Sequence, residues 1–149
     1  MTKKSFFIIP LFVLFLISCN CENKQDKINK SKQEILNTEK EFEACVRNEG
    51  LAVGFHNFAD DKAVINRNDT LIIGKITIKE VYDKKKNKDV QLSWNADFVD
   101  VSESCDLGYT YGNYIYTIKD STGKIKEYKG IFHTVWKKQS DGTWKYVWD

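Results

Sequence analysis

The sequence predicts an α+β domain in which helices come first and an antiparallel sheet last. Three observations predict it. Ile35, Leu36, Phe42, Cys45 and Val46 recur at helical spacing between Lys and Glu residues, the pattern of an amphipathic helix. Val90, Leu92, Trp94, Ala96 and Phe98 alternate with Gln91, Ser93, Asn95 and Asp97, the period of a half-buried strand. Turns at Asp120-Ser121-Thr122-Gly123 and Ser140-Asp141-Gly142 divide the second half into long strands joined as a meander. Helices followed by a meander pack on one face of a single sheet.

The elements follow in order. Residues 1–18 join a basic start at Lys3 and Lys4 to an apolar run from Phe6 to Ile17, which is the layout of a secretory signal peptide. The run is too short for a ~30 Å hydrocarbon core, which takes about 20 apolar residues. Residues 19–31 are polar after Cys19 and read as a flexible tether. A domain of residues 32–149 remains. Its first helix runs to about Asn48, and Gly50 interrupts it. Leu51, Phe55 and Phe58 form the stripe of a second helix, stopped by Asp60-Asp61. Ala63-Val64-Ile65 and Leu71-Ile72-Ile73 flank Asn66-Arg67-Asn68-Asp69 as a hairpin. Gly74 opens a third helix carrying Ile76, Ile78, Val81 and Tyr82. In the strand over 108–118, Tyr109 and Tyr111 share one face, and Tyr114 and Tyr116 the other. A long strand over 125–138 and a last one at Trp144–Trp148 complete the sheet.

Charge narrows the partners. The chain carries 23 Lys+Arg against 21 Asp+Glu. Cleavage after residue 18 removes Lys3 and Lys4 and leaves the two signs equal. A nucleic-acid binder shows a basic surplus or stripe, and none is visible. Lys84, Lys85, Lys86 and Lys88 cluster at the end of the third helix. They read as a solvated helix end, or as a patch attracted to anionic lipid headgroups. No CxxC and no Cys/His ligand spacing is present, so neither a metal nor a cofactor is expected. In an oxidising compartment, Cys45 and Cys105 either form a disulfide or pack as buried thiols.

Two resemblances add to this reading. Leu16-Ile17-Ser18-Cys19 resembles the lipobox of bacterial lipoproteins, which implies acylation of Cys19 and cleavage just before it. It implies a lipid-anchored protein of the bacterial cell envelope, on the outer membrane facing the periplasm or at the cell surface. The second rests on Gly50-Leu51-Ala52-Val53-Gly54-Phe55, Phe58-Ala59-Asp60-Asp61-Lys62-Ala63-Val64 and Gly74-Lys75. Asp106-Leu107-Gly108-Tyr109-Thr110-Tyr111-Gly112, Thr134-Val135-Trp136-Lys137-Lys138 and Asp141-Gly142-Thr143-Trp144-Lys145 complete it. In this order they resemble an uncharacterised branch of the nuclear transport factor 2-like superfamily, which includes ketosteroid isomerases and SnoaL-like cyclases. The resemblance implies a cone: three N-terminal helices packed on a strongly curved, mainly antiparallel sheet, with an apolar pocket at the open end.

The resemblance also sets a test for catalysis. The isomerase base falls on Asn66, the first-helix Tyr on Phe42, and the late-strand acid near Ile131 or His133. An amide cannot take up the proton and a phenyl ring cannot donate to an oxyanion, so no isomerase mechanism is expected. His133 and Asp97 are then the candidate acid/bases for a cyclase- or isomerase-type proton transfer, and His133 is the better of the two if its face is the concave one. The expected ligand pocket comprises Phe55, Phe58, Asn66, Trp94, Tyr109, Tyr111, His133 and Trp136. The aromatic members equally suit a filled core or the face of a homodimer. The leading expectation is a non-catalytic domain that binds a small, partly apolar ligand or a partner chain. The others are an enzyme using His133 and a homodimerisation module.

Overall fold

The computed structural model describes residues 23–84, 90–120 and 122–149. The signal peptide, Cys19, Cys21, Ser121 and most of the lysine cluster lie outside them. Helix α1 (Lys24–Glu49) starts at a cap in which the Asn23 side chain accepts from the Gln25 amide at 3.1 Å. It ends at Gly50, whose φ of 92° only glycine adopts freely. The helix thus begins eight residues earlier than the sequence suggested and takes in most of the expected tether. Ile28 is half-buried and Ser31 buried. One apolar and one small residue, three apart among lysines, are too weak a stripe to read without the sheet they pack on.

Helix α2 (Leu51–Phe58) folds back on α1, and Gly54 permits the approach because a Cβ there would overlap Val46. Strands β1 (Ala59–Arg67) and β2 (Thr70–Ile73) form a hairpin. Its turn residues Asn68 and Asp69 both adopt left-handed φ, 54° and 57°, the two-residue geometry that matches strand twist. Helix α3 (Lys75–Lys84) follows. Strands β3 (Val90–Val101), β4 (Leu107–Lys119), β5 (Ile125–Lys138) and β6 (Trp144–Trp148) complete the chain. The six-stranded sheet runs β2-β1-β6-β5-β4-β3, with only the β1–β6 pair parallel.

Bulges in β3 and β6 bend this sheet and change which side chains face the helices. In β3, Ala96 pairs with Gly112 but Phe98 pairs with Tyr111, so Asp97 is an extra residue. Trp94 faces inward while Phe98 faces outward, against the strict alternation expected. In β6, Tyr146 pairs with Trp136 and Trp148 with Val135, which turns Trp148 to the outer face as well. Gly108 and Gly112 sit on the inner face where nothing larger fits. A Cβ on Gly108 would lie 2.5 Å from Ile35 and 2.8 Å from the Asp100 carbonyl.

Candidate functional site

The helix-facing side of the sheet closes over one aromatic cluster. Phe42 of α1 is fully buried at its centre, with ring centroids 4.9 Å from Phe55 and Trp94, 5.1 Å from Phe58 and 5.7 Å from Tyr146. Trp136 meets it edge-on at 6.3 Å. The expected pocket residues Phe55, Phe58, Trp94 and Trp136 do gather here, but Phe42 fills the space between them. The position that would carry an isomerase hydroxyl carries the plug instead.

Glu39 lies within this cluster and is 2% exposed. It occupies the buried stripe of α1, one turn after Ile35 and just before Phe42. Its Oε1 accepts from Trp94 Nε1 at 2.8 Å. Its Oε2 accepts from Thr110 Oγ1 at 2.8 Å and from Trp136 Nε1 at 2.9 Å. Burial pushes its pKa from 4.5 up to about 7, with Asp149 adding to the rise and the three donors opposing it. Carboxyls tuned near neutrality are often catalytic. Here Trp136, Thr110, Phe42 and Tyr146 are fully buried around it, which shuts out a substrate.

A second polar group adjoins the first across the β4–β5 pair Thr110–Thr134. Thr134 donates to Asp149 Oδ2 at 3.1 Å, and Arg67 pairs with Asp149 Oδ1 at 2.5 Å. Arg67 Nε donates to the Tyr82 hydroxyl at 3.0 Å, and burial raises the Tyr82 pKa to about 12. The guanidinium lies 5.3 Å from the centre of Phe55. These contacts tie α3, β1, β5 and Asp149 together and hold their polar atoms satisfied.

The remaining expected site residues lie elsewhere. Tyr109, Tyr111 and His133 point away from the helices, onto the outer sheet face, because Trp136 and Thr134 take the inner parity of β5. His133 therefore has no access to the cone interior and is not its acid/base. Ile131, the other position for the isomerase acid, is on the same outer face. Asn66 is exposed beside Leu71. Cys45 and Cys105 are free thiols. Glu103, two residues from Cys105, pairs with Lys24 at the start of α1; Cys45 lies about 30 Å further along that helix at about 1.5 Å per residue.

What the outer face offers is an aromatic patch. Phe98 stacks on Tyr111 at 4.9 Å and 12° and contacts Tyr109 at 5.8 Å. Tyr109 meets His133 at 5.8 Å. Phe98, Tyr109 and Tyr111 are 39%, 37% and 41% exposed, a large exposure for rings in mutual contact. Leu107 and Trp148 extend the patch to either side. A shallow groove of about 410 Å³ runs through it, lined by Val101, Leu107, Tyr109, His133 and Val135. A smaller depression of about 240 Å³ lies between the end of α1 and β3, below the usual range of about 300–1,000 Å³ for ligand sites.

Glu39 makes stability depend on pH. Its folded-state pKa is raised, so its stabilising contribution is complete below 4.5 and is lost as pH rises to about 7. The expected loss is about 3 kcal/mol across that window. Glu34 acts oppositely: its hydrogen bond from Lys138 lowers its pKa, so its contribution disappears as pH falls below the ordinary carboxylate range. Thermal unfolding should show the highest midpoint near pH 5 and a lower one at pH 8. A midpoint that rises from pH 5 to pH 8 would contradict the buried carboxyl.

No protein-family model and no curated protein matches the chain. Solved structures do. A ketosteroid isomerase-like protein from Erwinia carotovora atroseptica superposes with a TM-score of 0.68 at 16% identity, over 80% of this chain and 93% of that one. A nuclear transport factor 2-like superfamily protein from Salmonella enterica serovar Typhimurium gives 0.65 at 16% identity, over 80% and 88%. The association domain of C. elegans CaMKII gives 0.64 at 16% identity, over 83% and 95%. At these identities the likeness establishes the fold: the chain is a nuclear transport factor 2-like cone, three helices on a six-stranded mixed sheet.

Proposed function

We propose that this chain is a non-catalytic association module, anchored at the bacterial cell envelope by lipid on Cys19, whose outer sheet face pairs with a second copy. The observation that carries the reading is the exposed ring cluster Phe98–Tyr109–Tyr111–His133 on a sheet whose other face is filled. Contiguous exposed apolar patches mark interaction sites, and aromatic rings are the usual anchors of protein interfaces.

A second copy is the partner that the patch suits. Its centre carries no fixed charge, so a two-fold axis through it brings rings against rings and sets no like charges together. Asp97, bonded to Asn113 at 2.7 Å, and Asp100, paired with Lys32 at 2.9 Å, lie at the rim. Two solved structures of this fold are themselves described as association domains, one from Xanthomonas campestris and one from C. elegans. The interior supports the same reading from the other side, since Phe42 occupies the space a small ligand would need.

Sedimentation of the wild-type chain and of Tyr111→Glu tests the pairing. The wild type should sediment as a dimer or a larger assembly at micromolar concentration. The variant places two carboxylates at the contact and should weaken association by at least about 100-fold, equivalent to about 3 kcal/mol. Its thermal midpoint, read at low concentration, should stay close to that of the wild type. Equal sedimentation of the two would remove the proposed face. The mass of the mature chain, with or without acyl groups on Cys19, tests the anchor.

A further inference from the structure

A separate surface, the edge of β5, stands open. Strand β6 covers β5 only from Val135 to Lys138, whereas β4 pairs with it from Ile125 onward. Among the described residues, β5 from Ile125 to Thr134 has a strand on one side alone. The Lys138 amide donates to the Asp106 carbonyl on the β4 side at 2.8 Å, and the β4–β5 register is continuous. Antiparallel alternation then aims the amides and carbonyls of Ile125, Glu127, Lys129 and Ile131 out of the free edge. Proteins blunt such edges by keeping them short or twisted away. This one is long and carries Ile125, Tyr128 and Ile131, which are 68%, 53% and 76% exposed.

We propose that this edge pairs antiparallel with the same edge of a second copy, about a two-fold axis at Tyr128, joining two six-stranded sheets. The side chains select that register. Centred on Tyr128, each Glu127 faces the partner copy's Lys129, and each Ile125 faces its Ile131. The two tyrosines meet at the axis. Moving the axis one residue forward sets Lys129 against Lys129, and one residue back sets Glu127 against Glu127, both destabilising. Moving it two forward, to Gly130, brings Ile125 opposite Val135, where β6 already pairs. The ion pair that Lys129 makes with Glu127 of its own chain, at 3.1 Å, is exchanged for two pairs between copies. The edge uses main-chain groups and stands independently of the ring patch. Two isologous contacts on one chain would build assemblies larger than a dimer.

Cross-linking at the axis tests the register in the full-length chain. A non-hydrogen-bonded pair sets Cα atoms about 4.5 Å apart, within the span of a disulfide. Tyr128→Cys should therefore give a covalent dimer on mild oxidation, well above the background set by the native thiols of the parent chain. Adding Glu127→Lys should cut that dimer about tenfold by placing like charges opposite one another. Adding Lys129→Glu to the same chain should restore it, because the swap is reciprocal across the axis. Cross-linking no higher at Tyr128→Cys than at Lys119→Cys would overturn the proposal. So would a Glu127→Lys effect that Lys129→Glu does not reverse.

Discussion

Replacing Glu39 by Ala will lower the unfolding free energy by about 3–5 kcal/mol, a large share of the stability of a domain this size. Trp94 Nε1 and the Thr110 hydroxyl proton lose their acceptor, and each unpaired buried donor costs about 1–3 kcal/mol. Trp136 suffers less, because its indole nitrogen also reaches Thr110 Oγ1 at 3.1 Å. Glu39→Gln should cost less than Glu39→Ala. It keeps the shape and one acceptor, but its amide must face a donor. The Gln variant should also flatten the pH profile between pH 5 and pH 7, since no titrating group remains there. Urea unfolding of the three proteins at those pH values measures both effects. An Ala variant within 1 kcal/mol of wild type would mean that the carboxyl holds nothing together.

Gly112→Ala should cost about 3 kcal/mol, at the upper end of overpacking. The added Cβ would overlap the Asn95 carbonyl oxygen and come within 2.9 Å of the Asp97 amide and the Phe132 ring. Two of these are backbone atoms, which cannot turn aside, so β3 must shift at its bulge. The bulge is what turns Phe98 to the outer face, so the same substitution should also weaken association. Gly142→Ala is the comparison. There φ is 86° but nothing lies within 4 Å, and the expected cost is about 1 kcal/mol with no effect on pairing. Thermal melts and sedimentation of both variants separate the two kinds of glycine. Equal losses at both positions would show that crowding at Gly112 is not the cause.

The order of elements was legible because helical and two-residue periods dominate their segments. What period two could not provide was the facing of side chains beyond a bulge. Asp97 advances the count by one, so Phe98 leaves the face of Trp94 and joins Tyr111. Parity within β5 correctly grouped His133 with Ile131 and Val135. Which group faces the helices is a property of the packed sheet, and Trp136 takes that side. Glu39, in contrast, is marked in the sequence. Ser31, Ile35, Phe42 and Val46 mark one stripe with spacings of four and seven, and Glu39 is the position that completes it. A charged residue at a core position of a helix points to a buried acceptor. The two indoles that satisfy it lie more than fifty residues away in sequence, beyond local reading. The early start of α1 was hidden for the opposite reason: Lys24–Lys30 is polar on nearly every face and is held by a cap and an ion pair to Glu103.

The two histidines provide the most direct measurement of the central claim that the outer face is where copies meet. His133 lies in the ring patch and His56 on α2, away from it. Carbethoxylation of the intact chain, followed by peptide mass analysis over a concentration series, reads both at once. Pairing through the outer face predicts that His133 becomes protected as concentration rises while His56 modifies at a constant rate, and that Tyr111→Glu abolishes the protection. Constant modification of His133 in a chain that nevertheless self-associates would contradict it.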